Sequence, residues 1–362
     1  MKDTILFGDC RESLKTIANS DTRARMCVTS PPYYGLRDYG TATWIGGDPN
    51  CNHRRDTKVK PENCNTGHKN HDEMSGVGDA IYKASCPKCG AIRQDSQIGL
   101  EQSPEEYVKE MVKVFSLVRD CLTDDGTLWL NIGDSYYNYR SDGNYPKQTV
   151  SKTRQDLPQS TPVRGNKLEG LKQKDLIGIP WMLAFALRAD GWYLRQDIIW
   201  HKPNPMPESV KDRCTKAHEY IFLLSKSKKY YYDNEAIKEP AKDWGTRDRS
   251  KGKYHNPGTG LQPHSGLTKS YERKNKRSVW SVTVKPYKGA HFATYPEELV
   301  TPCVLAGSEK GDIILDPFMG SGTTAMVAKK NSRSYLGCEL REEYASLQTA
   351  RISSIPNKLP LY

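Results

Sequence analysis

The sequence predicts an α/β fold with a parallel sheet, because short apolar segments alternate with amphipathic segments over most of the 362 residues. Two of the apolar segments end in distinctive turns, one rich in proline and the other rich in glycine. In parallel sheets, such turns lie at the carboxyl edge, where ligands bind. Strands are predicted at 4–7, 26–29, 127–132, 193–200, 220–225, 312–316 and 334–339.

Helices are predicted between these strands. The clearest begins after Ser103, which suits the N-cap position, with Pro104 at the first helical position and Glu106 completing a capping box. Its apolar residues recur on one face, as an amphipathic helix requires: Val108, Met111, Val112, Phe115 and Val118. Other helices are predicted at 11–19, 180–189, 296–306, after Gly322 and from Glu342.

Three segments interrupt the alternation. Residues 44–97 contain too few apolar side chains to form a core unaided, and residues 136–178 are polar and Gly/Pro-rich, which predicts a long loop. Residues 238–288 carry 13 Lys/Arg against 4 Asp/Glu, a local charge of +9 in a chain of +11. Side chains there that could neutralise phosphates are Lys251, Lys253, Arg273, Lys274, Lys276 and Arg277. Tyr254, Tyr271 and Trp280 could stack on bases, or Trp280 could anchor a strand.

Composition limits the class of protein. No apolar run approaches the roughly 18 residues of a membrane span, and Met1–Gly8 has no features of a secretory signal, so we expect a cytoplasmic protein that does not contact membranes. Ten cysteines in such a chain favour metal ligation or burial over disulfides. The positive net charge favours a polyanionic partner.

A glycine turn follows the strand predicted at 312–316. Gly320 and Gly322 allow the backbone to approach a ligand without a Cβ clash, and a helix starts directly afterwards. Glu339 ends the next strand and could hold ribose hydroxyls. By itself this pattern also fits a dinucleotide site or a purely structural turn.

A proline turn, Ser30-Pro31-Pro32-Tyr33, follows the strand at 26–29. The exocyclic amine of a base is a poor nucleophile, and acceptors such as the Ser30 hydroxyl and the Pro31 carbonyl would draw its protons. Consecutive prolines stiffen the backbone that holds this carbonyl. Tyr33 offers a flat face for a base rotated out of the duplex. The alternative is a simple Pro-Pro turn.

Together these two segments closely resemble the DNA amino-methyltransferases. Asp316-Pro317-Phe318-Met319-Gly320-Ser321-Gly322-Thr323-Thr324 resembles their S-adenosylmethionine loop, and Ser30–Tyr33 resembles their catalytic tetrapeptide. The tetrapeptide precedes the cofactor loop, an order that resembles the β class, a circular permutation of other classes. Similar patterns occur in restriction-modification systems, phages and prophages. A bacterial or phage-infected cell is therefore the expected setting.

The resemblance implies a Rossmann-like methyltransferase sheet that acts on double-stranded DNA. It implies a catalytic half at 1–43 and 98–232, a target-recognition region at 233–290 and a cofactor-binding half at 291–362. Residues implied to bind the cofactor are Asp9, Cys10, His291, Pro296, Asp316, Pro317, Phe318, Gly320, Ser321, Gly322, Thr323 and Glu339. A homodimer is compatible with this class, although the sequence does not fix the oligomeric state.

The residue before Pro-Pro-Tyr bears on the base that is methylated. Family members with serine there mostly methylate cytosine N4, and those with aspartate mostly methylate adenine N6, so Ser30 favours cytosine and leaves adenine as the alternative. Methyltransferases of RNA or protein glutamine usually carry asparagine there and place the cofactor loop first. A DNA-binding protein with an inactive site is a further alternative, which the two intact motifs disfavour.

Four potential metal ligands occur in the inserted segment 44–97. Cys51 and His53 form one closely spaced pair, and Cys86 and Cys89 form another. Four N/S ligands suit tetrahedral zinc, whose binding could supply the folding energy that this segment lacks. We therefore predict a small zinc-binding insertion, with a surface loop carrying incidental cysteines as the alternative. Further candidate ligands between the pairs are Cys64, His68 and His71.

Overall fold

A computed structural model describes residues 1–35, 43–53, 85–94, 97–137, 168, 170–241, 272–284 and 295–355. The chain divides into two compact units. The first consists of Met1–Pro31, Val112–Gly133 and Ala184–Tyr362, and the second of Pro32–Met111 and Asp134–Leu183. Within the described ranges, no helix combines the length and apolarity needed to cross a bilayer.

The first unit is built on an eight-stranded sheet. In chain order its strands are β1 (Thr4–Phe7), β2 (Ala24–Thr29), β5 (Leu122–Ile132), β6 (Tyr193–His201), β7 (His218–Ser225), β10 (Val279–Ser281), β11 (Ile313–Asp316) and β12 (Ser334–Glu339). Their order across the sheet is β1-β12-β11-β2-β5-β7-β6-β10. Two shorter pairs lie outside it, β3 (Thr43–Ile45) with β4 (Ile92–Gln94), and β8 (Glu239–Pro240) with β9 (Arg273–Lys274). The predicted α/β class is confirmed, and all seven predicted strands are present.

The sheet is mixed, so the prediction of parallel order was wrong for one strand. Strands β1, β12, β11, β2 and β5 run parallel, whereas β7 is antiparallel to both of its neighbours, β5 and β6. The connection between β6 and β7 contains no helix. A direct return of this kind gives antiparallel neighbours, whereas parallel neighbours need a crossover connection.

Helices connect and cover the strands. They are α1 (Cys10–Ala18), α2 (Pro104–Cys121), α3 (Ile179–Ala189), α4 (Glu297–Gly307), α5 (Thr323–Lys330) and α6 (Ala345–Ser353). Helix α2 begins at the predicted residue, and the Ser103 hydroxyl accepts a hydrogen bond from the Glu106 amide at 3.2 Å. The Glu106 carboxylate accepts from the amide of Gln102 at 3.1 Å, one residue before the position expected in a capping box.

The hydrophobic core of the first unit forms where α4 and α5 pack on the centre of the sheet. Val300, Val304 and Val327 on these helices are at most 1% exposed, as are Met26 and Ile314 on β2 and β11. Each such side chain contributes about 1.5–3 kcal/mol when fully buried. Together they hold β2 and β11 side by side.

The second unit contains the antiparallel pair β3–β4 and the first part of α2. Tyr107 is among its buried aromatic residues and has no exposed surface. Asp134, just beyond β5, accepts hydrogen bonds from the amides of Gly178 and Ile179 at 3.0 and 3.2 Å. These bonds satisfy donors at the start of α3 that have no partner inside the helix.

Candidate active site

The two turns singled out in the sequence follow neighbouring parallel strands. Leu315 of β11 pairs with Cys27 of β2, so the carboxyl ends of both strands lie at one edge of the sheet. The Thr29 hydroxyl donates a hydrogen bond to the Asp316 carboxylate at 2.6 Å. Strands β11 and β2 have their next neighbours on opposite sides: β12 pairs with β11, and β5 pairs with β2. Open α/β sheets bind ligands at the carboxyl ends of strands, where the chain connections leave in opposite directions.

Asp316 is the centre of a buried hydrogen-bond network. Its carboxylate is 1% exposed and accepts from the hydroxyls of Thr29, Tyr295 and Thr324 and from the Phe318 amide. Burial raises the pKa of Asp316 above its ordinary value, against the opposing effect of these hydrogen bonds. Four donors compensate much of the desolvation of this carboxylate. Asp316 therefore fastens the end of β2 to the start of α5.

The glycine turn has a fixed shape. Gly320 and Gly322 adopt φ of 52° and 83°, in the left-handed region that other residues rarely adopt. Gly322 is also the N-cap of α5. The Gly320 amide donates to the Glu339 carboxylate at 2.7 Å, and the Arg341 amide donates to its other oxygen at 3.0 Å. Burial raises the pKa of Glu339, because this carboxylate is largely removed from water.

Helix α6 supports the same turn from another direction. The Gln348 side-chain amide donates to the Gly320 carbonyl at 2.7 Å. The Arg351 guanidinium donates to the Ser321 carbonyl at 3.0 Å and to the Thr323 hydroxyl at 3.2 Å. Ser321 and Thr323 are at most 3% exposed. The turn is therefore preorganised by contacts to β12 and α6, which favours tight binding of a ligand.

The proline turn starts at the end of β2. Ser30 is half-buried and Pro31 is buried, and they are the last residues of this segment of the first unit. Pro32 and Tyr33 open the second unit, where the Tyr107 hydroxyl donates to the Pro32 carbonyl at 2.8 Å. Tyr107 therefore holds the turn through the Pro32 carbonyl, one residue after Pro31.

Comparison with known proteins identifies the chain. The family model described as DNA methylase, of the N6/N4 type, matches residues 24–350. The Type II methyltransferase M.Cfr9I of Citrobacter freundii is 40% identical over 96% of this chain and 87% of its own length. The Type II methyltransferase M.SmaI of Serratia marcescens is 41% identical over 96% and 90%. This chain belongs to the N6/N4 DNA methylase family.

The solved PvuII DNA methyltransferase (cytosine-N4-specific) has a similar fold. The TM-score is 0.53 at 14% sequence identity, over 99% of this methylase and 88% of that chain. At this identity the likeness concerns the fold alone. The resemblance to DNA amino-methyltransferases of restriction-modification type, first seen in two short motifs, thus extends over nearly the whole chain and is confirmed.

The structure describes further residues of this methylase that were predicted to bind the cofactor. Asp9 caps α1 and accepts from the amide and the guanidinium of Arg11. Cys10 is buried, and burial raises the pKa of its thiol to about 12, so the thiol is neutral. Pro296 precedes α4, and Pro317 is buried beside Phe318. His291 lies outside the described residues.

Four residues that hold Asp316 or the glycine turn in place were not among the predicted site residues. Thr29 and Tyr295 flank motifs that were recognised, and both donate to Asp316. Gln348 and Arg351 lie on a helix predicted from residue 342. Their side chains look like ordinary polar positions of a helix, so no sequence signal separated them from solvent-exposed neighbours.

The predicted target-recognition region is described only in part. Lys251, Lys253, Tyr254 and Tyr271 lie outside the described residues. Trp280 is 5% exposed and pairs with Trp200 between β10 and β6, so it anchors a strand. Arg277 and Lys274 both lie near the Glu239 carboxylate, at 2.6 and 3.5 Å.

The structure brings all four predicted metal ligands together. The ligand atoms of Cys51, His53, Cys86 and Cys89 lie within 4.8 Å of one another, in the second unit. Cys64, His68 and His71 lie outside the described residues. The two closely spaced pairs, on either side of a long segment, thus form one cluster.

Proposed function

We propose that this DNA methylase transfers a methyl group from S-adenosylmethionine to the exocyclic N4 of cytosine in duplex DNA. The observation that carries the proposal is the Thr29–Asp316 hydrogen bond, which joins the strand before Ser30 to the strand before the glycine turn. A base held at the first turn and a cofactor held at the second would meet at the same edge of the sheet. Ser30 favours cytosine N4 over adenine N6.

The proposed reaction is a direct displacement without a covalent enzyme intermediate. When bound, S-adenosylmethionine supplies the electrophilic methyl group. The Ser30 hydroxyl and the Pro31 carbonyl accept hydrogen bonds from the target amine and localise its lone pair on nitrogen. Pro32 fixes the turn, and Tyr33 stacks on the base after it leaves the duplex. Positioning of the two reactants supplies most of the acceleration.

The shape of the glycine turn supports the cofactor assignment. The positive φ angles of Gly320 and Gly322 give the turn its shape, and the backbone there is already fixed by Glu339 and Gln348. We assign Asp9, Cys10, His291, Pro296, Asp316, Pro317, Phe318, Gly320, Ser321, Gly322, Thr323 and Glu339 to this region. Within it, Asp316 acts as a positioning residue, since its carboxylate is occupied by four donors.

The proposal also divides the chain by role. Residues 1–43 and 98–232 form the catalytic half, and 291–362 form the cofactor half, in the circularly permuted order. The basic region 233–290 recognises the target in double-stranded DNA. Residues 44–97 are an inserted zinc-binding module.

Nucleoside mass spectrometry tests the proposal. Unmethylated DNA of mixed sequence is incubated with the protein and S-adenosylmethionine, then digested and analysed. We expect N4-methylcytosine, and a loss of at least about 100-fold in rate for Ser30→Ala. Thr349→Ala, an exposed position on α6, is the matched control. N6-methyladenine would keep the enzyme class and overturn the assigned base. No methylated base from folded protein would favour an inactive DNA-binding protein.

A further inference from the structure

Residues from the two sides of the insertion 44–97 meet beside the proline turn. The Gly35 amide donates to the Gly99 carbonyl at 2.8 Å, only two residues after Tyr33. Gly99 has a φ of 105°, and a Cβ placed on it would lie 3.1 Å from the Tyr33 carbonyl. Because the two backbones meet so closely, the segment that follows the insertion packs against the backbone that carries Tyr33.

Beyond this closure, an outgoing limb (residues 43–53) and a returning limb (residues 85–94) form a stem. Strands β3 and β4 pair antiparallel, from Thr43 opposite Gln94 to Ile45 opposite Ile92. Their apolar side chains give little support, because Ile45 and Ile92 are 57% and 64% exposed. A two-stranded pair with exposed apolar residues is marginally stable in water. Another interaction must therefore hold the limbs together.

The Cys/His cluster joins the two limbs beyond this pair. Cys51 and His53 lie on the outgoing limb, and Cys86 and Cys89 lie on the returning limb. The sulfurs of Cys51 and Cys86 are 3.7 Å apart, and the Cys89 sulfur is 3.5 Å from His53 Nδ1. Tetrahedral zinc with ordinary bond lengths requires about 3.8 Å between two sulfurs and about 3.6 Å between sulfur and nitrogen. Each of these two contacts joins one limb to the other.

The surrounding backbone is shaped for a metal site. The Gly90 amide donates to the Cys86 carbonyl at 2.7 Å, closing a tight turn around Cys86 and Cys89. A Cβ on Gly47 would lie 2.8 Å from the Cys89 sulfur, so only glycine fits there. The Trp44 ring stacks on His53 at 4.3 Å and fixes the imidazole plane. Orientation of this kind is typical of ligands held by a surrounding shell.

We infer that one structural Zn²⁺, bound by Cys51, His53, Cys86 and Cys89, clamps the stem whose base supports Tyr33. Loss of the metal would free the limbs, and the Gly35–Gly99 closure would open. The role of Tyr33 in holding a flipped base rests on the proposed function. The metal site and the closure are independent of it.

Metal analysis and hydrogen exchange of the full-length protein test the inference without any methylation assay. We expect about one zinc per chain, and less than about 0.2 in a Cys86→Ser/Cys89→Ser variant. Cys214→Ser, an exposed thiol outside the cluster, is the matched control and should keep its zinc. Chelation of zinc from the native protein should speed exchange of the Gly35 amide at least about tenfold, and added zinc should restore it.

The results separate the two proposals. Zinc-depleted protein should keep its affinity for S-adenosylmethionine within about twofold. Its KM for DNA should rise at least about tenfold, which corresponds to about 1.4 kcal/mol of free energy. Wild-type protein that stays below 0.2 zinc per chain after exposure to zinc overturns the site. Unchanged Gly35 exchange after chelation overturns the clamp. Zinc-dependent exchange in a protein that methylates no DNA supports the clamp and contradicts the proposed function.

Discussion

At the scale of single residues, Asp316 and Glu339 show how carboxylates can organise a site through their backbone and hydroxyl partners. Asp316 joins β2 to α5, and Glu339 holds the Gly320 amide at 2.7 Å. Burial raises the pKa of both groups. Each carboxylate is held in place by partners of its own fold, and the assignment of both residues to the cofactor site stays a prediction.

Thr29 is the most specific test of this organisation. Thr29→Val keeps the shape of the side chain and removes the hydroxyl donor of Asp316, so a buried carboxylate loses one of its partners. We expect the free energy of unfolding to fall by about 1–3 kcal/mol and the methylation rate to fall with it. Denaturant titration and single-turnover kinetics would measure the two changes. Thr29→Ser keeps the donor and should behave like the wild type; equal losses in both variants would contradict this role.

At the scale of secondary-structure elements, α6 acts as a support for the glycine turn. Its side chains Gln348 and Arg351 reach the backbone of the turn from outside the sheet. Gln348 is 1% exposed, and its side chain lies against Gly322. Helix α6 therefore helps to hold the glycine turn in place, although none of its residues is part of a recognised motif.

Gln348→Ala should weaken the binding of S-adenosylmethionine about three- to tenfold, because the Gly320 carbonyl loses its partner at the turn. Isothermal titration calorimetry would measure the dissociation constant. The exposed neighbour Thr349, changed to alanine, serves as the control on the same helix. An unchanged affinity in Gln348→Ala would show that the turn keeps its shape without α6.

Much of the element pattern could be predicted from the sequence. The strands at 4–7 and 334–339 have the predicted bounds, because each is a short apolar run between strong turn signals. The direction of β7 could not be predicted, since its apolar run gives no sign of orientation. Likewise, the motifs at Ser30 and Asp316 could be identified separately. Their hydrogen-bonded contact depends on the strand order, which sequence periodicity does not encode.

At the scale of the whole molecule, the net charge of +11 should govern encounter with DNA. We expect the logarithm of the binding constant to fall linearly with the logarithm of salt concentration. The slope of this line should be about −0.9 for each phosphate neutralised, and about −4 or steeper in total. Fluorescence anisotropy with one duplex over a salt series would measure this slope. Binding of S-adenosylmethionine, which involves no phosphate, is the control. A slope near zero would show that the basic residues do not contact phosphates.

The strand order has a consequence for synthesis on the ribosome. Strand β2 lies at the centre of the sheet, yet its neighbour β11 carries Asp316, 287 residues beyond Thr29. At about 5–20 residues per second, about 15–60 s pass before that neighbour emerges. Edge strand β1 waits longer still, because its partner β12 follows β11. The nascent chain therefore carries apolar strand edges without their partners for most of its synthesis, and such edges make a folding intermediate prone to aggregation.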